Sequence, residues 1–384
     1  MKVTISCCGK FHAFALAEQM QKNGQLNSLM TCYAYQRNTF LRRFVRRIDK
    51  EIIPASKIHS NIILAFPIKL LQGSAYLWLD LYDRWVAGKI KNNQCKVFIG
   101  WSGMSLHAIR AAKASGKITI IERGSSHIVY QNQILQEEYK KFGIDFSIDK
   151  RTIAKELIEY NEADYISVPS NFVRNSFLKY GFPESKLFMN PYGVSSSFER
   201  PSEKEEHTKF IILYVGAVSV QKGLKYLFEA LELLSMKVDE YEFWLIGKVE
   251  SSLLESLKRY KKTNWKILGY IEHYDLQNYM GMCDVAVQPS LQEGLSMVIP
   301  QLMSCGVPVI ATTNTGGENM ITDGVNGFII PIRSPEAIAD KIEYLFKNKS
   351  ILSQMSIAAS ESIKKGFKWD DYGNRYAEFI NTLS

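Results

Sequence analysis

Short apolar runs rich in β-branched and aromatic residues alternate with helix-like segments along almost the whole of this 384-residue chain. The runs lie at residues 2–8, 95–101, 117–123 and 164–170 in the first half, and at 210–216, 241–247, 264–270, 284–290, 307–313 and 327–332 in the second. Such alternation is typical of parallel sheets with helices on both faces. The sequence therefore predicts an α/β fold.

The length suits two domains of this kind, each large enough to bury its own core. A polar segment without apolar periodicity, residues 195–209, separates the two series of strands and predicts an interdomain linker. The last stretch, residues 369–383, has the spacing of an amphipathic helix. No G-x-G-x-x-G motif follows any strand, which argues against a dinucleotide cofactor.

Charge is distributed unevenly between the halves. Residues 1–200 contain 28 Lys and Arg against 16 Asp and Glu, whereas residues 201–384 contain 19 against 23. A basic domain joined to a mildly acidic one indicates that only one domain faces an anionic partner. Nucleic acid, an anionic membrane surface and a phosphorylated lipid acceptor all meet that description.

The six cysteines form no C-x-x-C pair, so we expect reduced, buried thiols rather than zinc ligands or disulfides. The first residues lack the apolar core of a signal peptide. The most apolar region, residues 61–82, is interrupted by Pro67, Lys69, Gly73 and Asp80. These features predict a cytoplasmic protein, either free or peripheral at the inner face of the membrane.

The segment PSLQEGLSMVIPQLMSCG, residues 289–306, carries the strongest functional signal. Glu293 lies on a glycine-containing turn before a helix-like run, and Gln301 follows eight residues later. The N-terminus of a helix has unpaired N–H groups and a positive dipole end, which suit a diphosphate. A carboxylate there would bind sugar hydroxyls, so the combination favours a sugar nucleotide. The alternative for Glu293 is an acid that only stabilises the helix dipole.

This segment resembles the signature of the retaining glycosyltransferases of family four. Their pattern is P-S-x-x-E-G-[FL], a second Glu eight residues later, and [AS]-C-G-x-P-V-[IV]-A, matched here at residues 304–311. The resemblance implies the GT-B fold, in which two Rossmann-like domains face each other across a cleft. It implies an acceptor-binding domain at residues 1–196 and a donor-binding domain at 197–368, with a helix at 369–384 that packs back on the first domain.

The resemblance also assigns roles in the second domain. Glu293 would bond donor-sugar hydroxyls, and Gln301 stands where the family has a glutamate for the ribose. Lys222 matches a cation that binds the diphosphate, whereas Ala217 replaces the family's arginine. The alternative for Lys222 is a surface lysine at the start of a helix. The other implied donor-site residues are Gly216, Ile271 in the base-binding loop, and Gly294, Leu295, Ser296 and Met297, whose turn faces the diphosphate.

In the first domain the candidate residues lie on two loops. Arg123 falls where the family often has the His of a His-Gly pair beside the reacting bond, and His127 lies close by. Both are candidate catalytic residues. Arg123 could instead bind a donor phosphate, and His127 could equally be a turn histidine with a satisfied hydrogen bond. Gly9 and Lys10, with His12 nearby, match the glycine-containing loop on the acceptor side.

A basic cluster follows in the segment 41–48, where Arg42, Arg43, Arg46 and Arg47 alternate with apolar residues. The pattern predicts a cationic amphipathic face that binds an anionic membrane surface. Many members of the resembled family glycosylate lipid-linked acceptors, which agrees with that interpretation. The alternative is a solvated surface helix.

The resemblance as a whole implies a retaining, metal-independent hexosyltransferase that uses a nucleotide-sugar donor and a glycan or lipid-linked acceptor in the synthesis of cell-surface polysaccharide. No Asp-x-Asp motif precedes a helix near the donor site, so no metal or other cofactor is expected. No nucleic-acid partner is expected either. Two other classes stay open. One is a GT-B-type sugar phosphorylase or nucleotide-sugar epimerase, and the other is a non-catalytic partner subunit, suggested by Ala217 and Gln301.

Overall fold

The computed structural model describes residues 1–9, 11–32, 52–64, 75–202 and 207–383. Strands and helices alternate along them, and the strands form two sheets. Every strand pairing within these two sheets is parallel. The predicted α/β architecture of two Rossmann-like domains is therefore confirmed.

Within the described residues, the first domain is built on seven strands in the order β3-β2-β1-β4-β5-β6-β7. They are β1 (Val3–Cys7), β2 (Leu26–Thr31), β3 (Ile58–Ser60), β4 (Val97–Trp101), β5 (Ile118–Glu122), β6 (Tyr165–Val168) and β7 (Leu187–Met189). The helices are α1 (Ala13–Lys22), α2 (Ala75–Ile90), α3 (Leu106–Ala114), α4 (Ile128–Lys141), α5 (Lys150–Glu162) and α6 (Asn171–Lys179). The strand order reverses between β1 and β4, which leaves a crevice at the carboxyl edge of the sheet.

The second domain has six strands in the order β10-β9-β8-β11-β12-β13. They are β8 (Phe210–Val215), β9 (Tyr241–Ile246), β10 (Trp265–Gly269), β11 (Val285–Gln288), β12 (Val309–Thr312) and β13 (Gly327–Ile330). The helices are α7 (Leu224–Leu233), α8 (Leu254–Tyr260), α9 (Leu276–Met282), α10 (Val298–Ser304), α11 (Pro335–Lys347) and α12 (Lys349–Lys364). Here the order reverses between β8 and β11.

The final helix, α13 (Trp369–Thr382), packs on the first domain. Gln19 Nε2 and Lys22 Nζ on α1 donate to Asp370 Oδ1 at 2.9 and 2.8 Å. Tyr376 on α13 donates from its hydroxyl to Glu122 Oε1 at the end of β5 (2.8 Å). These bonds tie the end of the chain to the carboxyl edge of the first sheet.

The cores lie between the sheets and their helices. Strands β1, β4 and β8 are buried at every residue, as expected for strands covered on both faces. All six cysteines are buried and unpaired by disulfides. Among the described residues, no helix combines the length and the apolar character needed to span a bilayer.

Candidate active site between the domains

Two loops meet where the strand order of the second sheet reverses. One follows β8 and carries Gln221 and Lys222; the other follows β11 and carries Leu291 and Gln292. The Leu291 N–H donates to the Gln221 carbonyl oxygen (2.9 Å), and Gln221 Nε2 donates to the Gln292 carbonyl oxygen (2.9 Å). These bonds hold the two loops together as one surface.

A glycine allows this close approach. Gly223 has a φ of +68°, and a Cβ atom there would overlap the carbonyl oxygen of Pro289. Only glycine meets both demands without strain. Gly216, which the resemblance assigns to the donor site, follows β8 directly and donates its N–H to the Ile246 carbonyl oxygen (2.9 Å). The residue after it, Ala217, is exposed and supplies no cation.

Lys222 and Glu293, both predicted from the sequence, are brought together on this surface. The Lys222 ammonium pairs with Glu293 Oε1, and Ser290 Oγ donates to the same oxygen (2.9 Å). The side chains remain 24% and 12% exposed. The two groups can therefore separate when an anion binds the ammonium and hydroxyls bind the carboxylate.

The turn after Glu293 leads into α10, which has only seven residues. Of the three N–H groups predicted to face a diphosphate, that of Ser296 donates to the Thr315 carbonyl oxygen (2.9 Å). The predicted role of Ser296 stays a prediction, and this N–H is already bonded within the protein. Leu295 and Met297 remain as the predicted backbone donors, with Gly294 forming the turn before them.

Gln301 lies on α10 and is almost buried, at 8% exposure. Its Nε2 is 3.3 Å from Nε2 of His273. His273 lies in the loop after β10, two residues beyond the half-buried Ile271 of the predicted base-binding loop. The structure thus joins the predicted ribose residue to that loop. His273 was not predicted from the sequence, although it lies in the same loop as Ile271.

Arg123 is buried at the end of β5, and an ion pair and several hydrogen bonds hold its guanidinium in place. Its Nη1 is 3.0 Å from Glu156 Oε2. Its Nε and Nη2 donate to the Ser126 carbonyl oxygen (3.1 and 2.8 Å), and Nη2 also donates to Gln131 Oε1 (2.7 Å). In this arrangement the guanidinium shapes the loop 123–127, and the predicted catalytic or phosphate-binding role stays a prediction.

His127 is enclosed by aromatic side chains of the first domain. Its ring stacks on Tyr180 with centroids 4.2 Å apart, and Tyr160, Phe177 and Phe182 surround it. Neither ring nitrogen has a hydrogen-bond partner among the described residues. Burial, with the nearby charge of Arg123, lowers the pKa of His127 to about 4. A proton-transferring nitrogen must reach a substrate, and both ring nitrogens are buried here; the catalytic role of His127 stays a prediction.

The loop 123–127 instead closes the site from the opposite domain. Gln292 Nε2 donates to Ser125 Oγ (2.6 Å) and Ser126 Oγ (3.0 Å). Ser170 Oγ, at the start of α6, donates to the Gly294 carbonyl oxygen (2.6 Å). These bonds join the two domains through Gln292 and Gly294, the residues directly before and after Glu293. These bonds could not be predicted from the sequence, because serines and glutamines in loops carry no pattern.

Gly9 lies directly beyond β1, at the reversal point of the first sheet. Lys10 and the arginine cluster Arg42, Arg43, Arg46 and Arg47 lie outside the described residues. Their predicted roles at the acceptor and at the membrane stay predictions.

One group of side chains within the described ranges has the spacing of a metal site: Asp80, Asp83 and His107. However, Lys155 Nζ lies 2.8 Å from Asp83 Oδ2 and 3.4 Å from Asp80 Oδ1. Asp83 also accepts the N–H groups of His107 (3.0 Å) and Ala108 (2.9 Å) at the start of α3. Lys155 therefore supplies the positive charge that a metal ion would supply, and the group ties α2, α3 and α5 together.

Comparison with known proteins shows what this chain is similar to. Residues 195–362 match the family described as Glycosyl transferases group 1. The capsular polysaccharide biosynthesis glycosyltransferase CapM of Staphylococcus aureus is 26% identical over 192 residues, 48% of this chain and 50% of CapM. The chain spans about half the length, or less, of this and other curated relatives that it matches.

Solved structures show the same fold over the full length. HepE of Anabaena, in complex with UDP, superposes with a TM-score of 0.71 at 14% identity, covering 100% of both chains. Sucrose-phosphate synthase of Thermosynechococcus elongatus superposes with a TM-score of 0.76 at 15% identity, covering 100% of this chain and 99% of the other. The GT-B fold is confirmed, and the predicted resemblance to glycosyltransferases is confirmed through the second domain.

Proposed function

We propose that this chain, whose second domain matches the group 1 glycosyltransferases, transfers a sugar from a nucleotide-sugar donor to a hydroxyl of a glycan or lipid-linked acceptor in cell-surface polysaccharide synthesis. The pairing of Lys222 with Glu293 at the reversal point of the second sheet carries the proposal. It offers one cation for a diphosphate and one carboxylate for sugar hydroxyls. The binding of UDP by HepE, a protein of the same fold, supports a nucleotide donor.

In the proposed reaction Lys222 and the N–H groups of Leu295 and Met297 stabilise charge on the departing diphosphate as the anomeric carbon becomes cation-like. Glu293 orients the sugar through its hydroxyls, and the Gln301 amide contacts the ribose. We propose retention of the anomeric configuration, in line with the resemblance, and a reaction without a metal. Proton NMR of the product tests the first point, and turnover in excess EDTA tests the second.

Isothermal titration with UDP, GDP and ADP is the primary test of the proposed function. We expect one of them to bind, and Lys222→Ala to weaken that binding. The matching UDP-, GDP- or ADP-sugars are then screened for hydrolysis, and for transfer to p-nitrophenyl glycosides of glucose, galactose, mannose and N-acetylglucosamine. If the protein binds none of the three diphosphates, the result would contradict the proposal and favour the non-catalytic subunit. Turnover that requires phosphate, or that proceeds without acceptor to an epimer, would favour the phosphorylase or the epimerase.

We further propose a cytoplasmic protein that associates peripherally with the anionic inner face of the membrane through Arg42, Arg43, Arg46 and Arg47. Sedimentation with phosphatidylglycerol vesicles tests this association. Changing the four arginines to glutamine should release the protein, at about 1 kcal/mol per charge. If the native protein does not sediment with these vesicles at low salt, the membrane proposal is wrong.

A further inference from the structure

The first sheet has its own reversal point, between β1 and β4, and a histidine–glutamate pair lies beside it. His12 precedes α1, and Glu122 is the last residue of β5. His12 Nε2 is 2.9 Å from Glu122 Oε2. The imidazole also packs against Trp101, the last residue of β4, with ring centroids 4.9 Å apart. In open α/β sheets such a crevice is where ligands bind.

The pair has the arrangement of an oriented base. Glu122 is buried at 1% exposure, and its second oxygen accepts the Tyr376 hydroxyl (2.8 Å). An ionised carboxylate held in this way accepts a hydrogen bond from the Nε2–H of His12, and this tautomer leaves the lone pair of Nδ1 available. No hydrogen bond joins Nδ1 to another of the described residues, and the side chain keeps 10% exposure.

Two residues, Tyr192 and Gly124, connect this pair to the turn that carries Glu293. Tyr192 packs on His12 with ring centroids 4.2 Å apart. The Tyr192 hydroxyl lies 2.9 Å from the position that a Cβ atom on Gly124 would take. The Gly124 carbonyl in turn packs against Gly294. His12 therefore lies on the first-domain side of the same cleft, where the acceptor would approach the donor sugar.

We propose that His12, oriented by Glu122, is the group that takes the proton of the acceptor hydroxyl. This inference rests on the proposed function. The acceptor oxygen forms a bond to the anomeric carbon, whose bond to the diphosphate oxygen breaks, and the nucleoside diphosphate leaves with the electron pair. The hydroxyl proton passes to Nδ1 of His12, and Glu122 stabilises the resulting imidazolium until the proton is released to water. The pair thus gives the first domain a chemical role.

The test compares two nucleophiles in the full-length enzyme. His12→Asn keeps a residue that suits the start of a helix but removes the base. Transfer to the hydroxyl acceptor found in the screen, or to water, should fall about 10²–10⁴-fold. Azide carries no proton to remove, so formation of the glycosyl azide should stay within about threefold of the native rate. The affinity for the nucleoside diphosphate should not change.

Glu122→Gln and His59→Asn complete the comparison. Glu122→Gln keeps the shape of the side chain but loses the charge and one of its two acceptor oxygens, and it should lower hydroxyl transfer while sparing azide. It also serves if His12→Asn fails to fold. His59 is exposed on β3, and its change should have no effect. Unchanged hydroxyl transfer in His12→Asn, or an equal fall for hydroxyl and azide, would overturn the inference. Absence of nucleotide binding by the native protein would instead overturn the proposed function.

Discussion

Gly294 packs so closely on Gly124 that a Cβ atom on Gly294 would overlap the carbonyl oxygen of Gly124. Gly294 follows Glu293 directly, and Gly124 lies in the loop after β5. The two domains therefore touch beside the carboxylate, and the Ser170 bond to the Gly294 carbonyl oxygen adds a second link (2.6 Å). The position of Glu293 in the cleft depends on this closed arrangement.

Gly294→Ala should hold the domains apart without unfolding either one. The new methyl group meets a backbone carbonyl, which cannot move aside as a flexible side chain would. We expect turnover to fall more than tenfold, the nucleoside diphosphate to bind as before, and the radius of gyration in small-angle X-ray scattering to rise. Gly88→Ala on α2 is the matched control, because no atom lies within 4 Å of its Cβ position. Native turnover in Gly294→Ala would show that closure does not depend on this contact.

Lys222→Ala should weaken binding of the nucleoside diphosphate by about 1.5–3 kcal/mol, the usual range for a hydrogen bond to a charged group. Turnover should fall with it, because the same charge stabilises the departing diphosphate. Titration calorimetry measures the affinity. Lys225→Ala, one residue into α7, is the control and should bind normally. Equal affinities of the Lys222 variant and the native protein would place the diphosphate elsewhere.

Arg123→Met should destabilise the first domain by about 3–5 kcal/mol, because it leaves Glu156 buried without its charge partner. Arg110→Met is a fitting comparison. Arg110 pairs with Glu162 at the surface, with side chains 53% and 33% exposed, and its loss should change the free energy of unfolding by less than about 1 kcal/mol. Urea unfolding followed by tryptophan fluorescence gives both values. A small effect in Arg123→Met would mean that the pair does not fix the loop.

His127 should make the native protein less stable as the solution becomes acidic. Its pKa is about 4 in the folded protein and about 6.5 in an unfolded chain, so only the unfolded chain takes up its proton between these values. The histidine's share of stability is therefore complete above pH 6.5 and is lost as the pH falls toward 4. Between pH 7.5 and 5 the loss should be about 2 kcal/mol.

His127→Phe should remove that loss, because phenylalanine fits an aromatic enclosure and does not titrate. The quantity to measure is the difference in unfolding free energy between native and variant at pH 7.5 and at pH 5. Glu159 acts in the opposite direction, since burial raises its pKa to about 8, but it is present in both proteins and cancels. A difference that does not depend on pH would contradict the lowered pKa.

The sequence predicts the residues that lie at the carboxyl ends of strands. Lys222 and Glu293 follow β8 and β11, and the resemblance to the family assigned both to the donor site before the strand order was known. The pairing of His12 with Glu122 was not anticipated, because it joins the start of α1 to the end of β5 across 110 positions of sequence, with β4 between β1 and β5 in the sheet. The burial of His127 and Arg123 could not be predicted from the sequence either. The rings that enclose His127 come from residues 160–182, and the charge partner of Arg123 lies on α5. A residue in a loop is expected to be exposed, but in both of these cases tertiary packing buries the side chain.

The contact between Gln301 and His273 decides what substitutions at Gln301 should do. If Gln301 Nε2 donates to His273 Nε2, the amide oxygen is turned toward the ribose as an acceptor. Gln301→Leu removes that acceptor, and donor binding should weaken by about 1–3 kcal/mol.

Gln301→Glu behaves differently. Its carboxylate is a stronger acceptor for the ribose and can pair with a protonated His273, but it adds negative charge near the diphosphate. These effects oppose each other, so activity should stay within about tenfold of native. Changing His273 to Ala in the Gln301→Glu background should lower donor affinity further, because the unpaired carboxylate then acts only as a repulsive charge. Donor titrations of all three variants, alongside 2′- and 3′-deoxyribose donors, measure these effects. If the native protein binds deoxy and ordinary donors equally and Gln301→Leu is harmless, Gln301 only packs between α10 and the loop after β10, and the ribose lies elsewhere.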